Sequence, residues 1–101
     1  IAAGPWSEYF LTQWFERGPG VHPVRGQIVL LKTPGRLFRR VLMLGKRYLV
    51  PRSDGHVLVG STEEPEALFE KANTAGAVAD LIALATRTVP DLASAELVKC
   101  W

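Results

Sequence analysis

The spacing of apolar residues changes character several times along the chain. Ile1-Ala2-Ala3, followed by Gly4-Pro5, reads as the end of a buried strand breaking into a turn. Phe10, Leu11, Trp14 and Phe15 then recur at helical spacing, with Ser7 placed as cap, Glu8 near the positive end and Gly18-Pro19-Gly20 as the stop. From Val24 the period shortens. Gln27 to Lys32 is a run of Ile, Val and Leu ended by Thr33-Pro34-Gly35, which predicts a strand. Arg39 to Leu44, Arg47 to Pro51 and His56 to Ser61 predict three more, separated by Gly45-Lys46 and by a turn containing Asp54-Gly55. These connections are too short for parallel crossovers, so the pairing is expected to be antiparallel. Glu63 to Asn73 is acidic and contains Pro65, which favours a loop or short helix. Thr74 opens a long helix with Val78, Leu81, Ile82, Ala85 and Val89 on one face and Pro90 at its end, and a last strand begins near Ala95.

This order predicts an α+β fold, an antiparallel-rich sheet backed by helices. The chain has 101 residues, 48% hydrophobic and 22% charged, enough for one domain with a modest core. Its apolar runs stop far short of the roughly 18 residues of a membrane helix, so the expectation is a soluble protein with no membrane partner. The single cysteine, Cys100, excludes an internal disulfide framework, and His22 and His56 beside it make no zinc set. A reducing, cytoplasmic location fits best. The opening without methionine and the strand barely begun at the other end suggest an internal piece of a longer chain.

Charge is divided unevenly. Net charge is +2, yet nine basic residues and no acid lie between Arg17 and Arg52. Such a stretch is either a phosphate-binding patch or the solvated outer face of strands. A small basic module contacting nucleic acid through residues 17–52 is therefore the rival function, although Phe38 and Tyr48 are few aromatics for stacking bases. Catalytic chemistry is sparse. Gly18-Pro19-Gly20 lacks the third glycine of a dinucleotide fingerprint, since Pro23 stands there, and no Walker loop or nucleophile elbow exists. Ser61 with His56 lacks a third group, Glu63-Glu64 reads as acidic surface and Cys100 as an apolar strand residue. No catalytic side chain and no metal site are expected.

Four segments in order, Ile1-Ala2-Ala3-Gly4-Pro5-Trp6-Ser7, Val24-Arg25-Gly26-Gln27, Tyr48-Leu49-Val50-Pro51-Arg52 with Asp54-Gly55, and Val59-Gly60-Ser61-Thr62-Glu63, together resemble the FAD-dependent D-amino-acid oxidase family. The glycine oxidase branch, used in thiamine biosynthesis, is the most similar. The resemblance continues through Thr74, the long helix, Val89-Pro90-Asp91-Leu92 and Trp101. It departs at Ala67-Leu68-Phe69, where the family pattern has a glycine before the phenylalanine.

The resemblance implies that residues 1–17 are the end of an FAD-domain strand and the helix after it, and that residues 18–101 belong to the substrate-binding, or cap, domain of such a flavoprotein. Gly4 would be the glycine turn beside the cofactor, or else an ordinary strand-ending turn. Arg25 would be a cofactor neighbour or a structural ion-pair donor. Tyr48 would reach the substrate pocket, or be a half-buried strand tyrosine. The implied activity is oxidation of glycine or another small amino acid by hydride transfer to flavin, giving an imine, then a 2-oxo acid, and hydrogen peroxide; sarcosine or D-amino-acid oxidation are the neighbouring branches. The implied partner is the FAD domain of the parent chain. This piece alone is expected to be inactive, not to retain FAD, and to form a homodimer through an exposed sheet edge.

Overall fold

The computed structural model describes residues 22–101. The helix expected after Ser7, the turn at Gly4 and the boundary between residues 17 and 18 lie outside the described residues. Those that are described fall into two compact units, 22–25 with Glu63–Glu70, and Gly26–Thr62 with Lys71–Trp101.

The larger unit is a five-stranded antiparallel sheet with one helix. Its strands are β1 (Ile28–Lys32), β2 (Leu42–Leu44), β3 (Arg47–Pro51), β4 (His56–Gly60) and β5 (Glu96–Cys100), in the spatial order β2-β3-β4-β1-β5. The α+β expectation and the antiparallel pairing both hold. Strand periodicity of two sends alternate residues to opposite faces, and the register turns this into rows across the sheet. Leu42, Leu49, Val59, Val29 and Cys100 form one row, and Pro51, Val57, Leu31 and Leu97 the next row on the same face.

Helix α1 (Ala75–Thr88) covers that face. Thr74 caps it, its hydroxyl accepting from the Ala77 amide at 3.3 Å, and Pro90 opens a short 3-10 turn, Pro90–Ser94, beyond its end. Leu81, Ala85 and Leu92 are buried against Val29, Leu31, Leu49, Val57 and Val59, while Val78, Ile82, Val89 and Cys100 pack around them. Each large aliphatic side chain so buried contributes about 2 kcal/mol of transfer free energy. Cys100 is thus a strand residue of this apolar layer. Among the described residues, no helix is long and apolar enough to cross a membrane.

One strand differs from expectation. Arg39 to Leu44 was the predicted run, and β2 begins at Leu42. Leu42 pairs with Leu49, so the residue opposite Arg40 would be Pro51, which has no N–H for a ladder bond. Arg39 and Arg40 remain on an exposed connection.

In the smaller unit Arg25 and Glu64 form an antiparallel bridge, with backbone hydrogen bonds of 3.2 and 2.9 Å. A single 3-10 turn, Pro65–Ala67, follows, the short helix allowed by the proline-containing acidic segment.

Candidate functional site

The face of the sheet turned away from α1 is apolar, and its side chains are half-buried or exposed. Its first row runs Met43, Tyr48, Gly60, Ile28, with Trp101 joined to Ile28 by backbone hydrogen bonds of 2.7 and 3.0 Å. The second row is Val50, Leu58, Leu30 and Lys99. Beyond it, His56, Lys32 and Glu96 make a polar margin. Met43 is 66% exposed and Trp101 46%, whereas Val29, Leu31, Leu49, Val57 and Val59 on the helix face are buried. An open apolar surface of this kind on a small unit marks a place where something docks.

Tyr48 stands on β3, one strand in from the β2 edge of this face. It stands directly opposite Gly60, and a β carbon built on Gly60 would fall 2.9 Å from Tyr48 Oη and 3.0 Å from its Cζ. The phenol is therefore laid across β4 over a residue with no side chain. Such an arrangement offers an apolar ring wall and one hydroxyl able to donate or accept. Lys99 supplies the nearest row's positive charge, its Nζ 5.2 Å from the centroid of the Trp101 ring.

Arg25 belongs to the smaller unit, where its Nε donates to Glu64 Oε2 at 2.7 Å, a second nitrogen, Nη2, engages the same oxygen, and Nη1 lies 3.6 Å from Glu70. The Arg25 and Glu64 side chains are only 12% and 16% exposed. This corrects the reading of Glu63-Glu64 as plain acidic surface: Glu64 is held inward by a cation 39 residues away. Gly4 lies outside the described residues.

His56 opens β4 and Ser61 follows its last residue, Gly60, so they form no catalytic pair. Instead His56 Nδ1 is 2.9 Å from Asp54 Oδ1. Its amide also donates to that oxygen at 3.1 Å; chiefly for this reason, with the imidazole adding to it, the Asp54 carboxyl is held below its usual pKa. No group of three His, Cys, Asp or Glu side chains suited to a metal occurs among the described residues.

Sequence reasoning passed over two groups. Met43, Ile28 and Trp101 carry the open face, which the alternation of each strand could have shown once the register was known. Gln27 is buried and polar: its Oε1 accepts from the Thr74 amide at 2.8 Å and from Asn73 Nδ2 at 3.2 Å, and its Nε2 donates to Thr74 Oγ1 at 3.2 Å. A glutamine at the head of an apolar strand was the available clue.

Comparison with known proteins bears on this geometry. The family profile described as FAD dependent oxidoreductase matches residues 1–101. The chain is 39% identical over 101 residues to a glycine oxidase of Pseudomonas putida, covering 100% of this chain and 27% of that protein. It is 35% identical over 100 residues to the hydrogen cyanide synthase subunit HcnC of Pseudomonas aeruginosa, covering 99% of this chain and 24% of the other. The crystal structure of glycine oxidase from Geobacillus kaustophilus superposes with a TM-score of 0.83 at 30% identity, covering 100% of this chain and 27% of that one. The chain thus spans about a quarter of the length of the curated relatives it matches. Nothing in these comparisons supports a nucleic-acid module, and Phe38, one of the two aromatics of the basic stretch, packs against the core.

Proposed function

Because this chain belongs to the FAD dependent oxidoreductase family, we propose that it is the substrate-binding part of an oxidase acting on glycine or a similarly small amino acid. The observation that carries this reading is the Tyr48 phenol laid over Gly60 on an open apolar face, within a chain 39% identical to a glycine oxidase. That face suits the flat ring end of FAD and a small zwitterion beside it, since Gly60 lets the Tyr48 ring lie close against the sheet. The phosphates need other residues, because the sequence contains no glycine-rich phosphate loop. Gly4 and Arg25 are the positions that the family resemblance sets beside the cofactor. FAD, when bound, supplies acceptance of a hydride from the amine-bearing carbon and delivery of the electron pair to oxygen.

The residues of this chain do the remaining work. Met43, Ile28 and the Tyr48 ring exclude water from one side of the substrate, and the phenol hydroxyl orients its polar end. The net reaction converts the amino acid, oxygen and water to a 2-oxo acid, ammonia and hydrogen peroxide. It requires hydride transfer and imine hydrolysis but no protein nucleophile, which accords with the sparse catalytic inventory. Separated from its cofactor domain, the chain holds no FAD and self-associates through the outer edge of β5, where Leu97 and Val98 are exposed. A single cysteine accords with a cytosolic enzyme.

The test is a peroxide assay of the full-length oxidase with glycine, sarcosine and D-alanine, together with Tyr48→Phe. Peroxide from at least one substrate, with a raised KM in the variant, is the expected result. No turnover of any of the three overturns the reading.

A further inference from the structure

We infer that Gly60 is the specificity-determining seat of Tyr48, setting how far its phenol stands above the sheet and hence how large an amino acid enters. This deepens the function proposed above and rests on it. The three atoms nearest a β carbon on Gly60 are Tyr48 Oη, Cζ and Cε2, at 2.9, 3.0 and 3.1 Å. All belong to the far half of the ring. The ring is therefore laid down on β4 with its hydroxyl against the position a Gly60 side chain would take, and any side chain at residue 60 lifts it.

Lifting the ring is cheap for the fold and consequential for the face. The obstructing atoms are the end of a half-buried side chain, and the neighbour in the row, Met43, is 66% exposed, so the phenol has room to tilt. Tilting raises Oη from β4 by about the width of a methyl group, on the face that also carries Ile28 and Leu58. The hydroxyl then stands where a substrate's own substituent must lie. Glycine has only hydrogens to accommodate, whereas N-methyl or Cα-methyl groups compete with the raised ring. Gly60 is thus a positioning residue acting through Tyr48, and the substrates it admits are small α-amino acids carrying at most a methyl group.

A double-mutant cycle in the full-length oxidase tests this, using Gly60→Ala, Tyr48→Leu and both together. Misplacement of a binding group by about 1 Å costs up to about 100-fold. Gly60→Ala is accordingly expected to lower kcat/KM about 10-fold for glycine, mainly through KM, and about 100-fold for sarcosine and D-alanine, with little change in urea midpoint. In the Tyr48→Leu background the same substitution changes these values less than about twofold, because the obstructed ring is gone. Equal losses for all three substrates, or equal losses with and without the ring, overturn the inference. The packing has its own readout in this chain: Gly60 Hα resonances shifted upfield by the ring and restored in Tyr48→Leu. A parent enzyme that oxidises none of the three, yet shows that shift, removes the functional reading and the specificity role while leaving the packing; absence of the shift removes the seat itself.

Discussion

The amide and hydroxyl of Thr33 both donate to the carbonyl of Gly55, at 3.0 and 3.1 Å, and the Thr33 carbonyl in turn crowds the Gly55 α carbon, so that a β carbon there would lie 2.5 Å from it. The same hydroxyl also engages the Gly35 carbonyl. Gly55 has φ +87°, a conformation that side-chain-bearing residues rarely adopt. Here the obstructing atom is backbone and cannot tilt aside. Gly55→Ala is expected to destabilise the protein by about 2 to 4 kcal/mol, from the strained φ and the overpacked contact together. Urea unfolding reads the loss, and a midpoint equal to the parent's would show that the turn rearranges freely.

Gln27 ties the head of β1 to the start of α1. Its side chain serves the Thr74 amide, the Thr74 hydroxyl and the Asn73 amide group, while its own backbone N–H donates to Thr62 Oγ1 at 3.0 Å. Gln27→Leu leaves these partly buried groups without that partner and is expected to cost about 1 to 3 kcal/mol. Thr74→Ala removes the helix cap and is expected to cost about 1 kcal/mol. Because both act on one network, the double variant should lose less than the sum. Strict additivity in denaturant melts would mean that the two residues stabilise the fold independently.

The Asp54 carboxylate gives the β3–β4 turn a pH dependence of known sign. Its folded pKa is depressed by the His56 amide first and the imidazole second. The contribution is therefore present above the ordinary carboxylate range and is lost as pH falls towards Asp54's lowered value. The group is exposed, so the effect is local. Acid titration by NMR should show the His56 amide moving with the Asp54 carboxyl, and Asp54→Asn should abolish that movement. An unchanged His56 profile in the variant would contradict the assignment.

Local grammar made much of this architecture readable. The limits of β3, the cap at Thr74 and the stop at Pro90 each depend on residues within a few positions of one another. What stayed hidden depends on pairing at long range. Gln27 meets Thr62 and Thr74 across 35 and 47 residues, and Arg25 meets Glu64 across 39. The late start of β2 is decided by Pro51 on the partner strand. Tyr48 and Gly60 were both visible as members of separate segments, but their direct opposition follows from the β3–β4 register, which no single segment specifies.

Arg25 separates structural from cofactor roles most sharply. Its guanidinium is mostly buried and engaged by Glu64, with Glu70 3.6 Å away, so Arg25→Met takes the guanidinium away from a carboxylate that is only 16% exposed. Breaking such a pair from one side costs about 3 to 5 kcal/mol when buried, and somewhat less here because solvent reaches both partners. Removing both charges in Arg25→Met/Glu64→Leu should restore part of that loss, since the carboxylate that faced the guanidinium goes with it. In the full-length protein, flavin content measured by absorbance should then follow stability: reduced in the single variant and recovered in the double. If the double variant regains its urea midpoint and still lacks flavin, Arg25 contacts the cofactor directly, and the ion pair is only the means of holding it there.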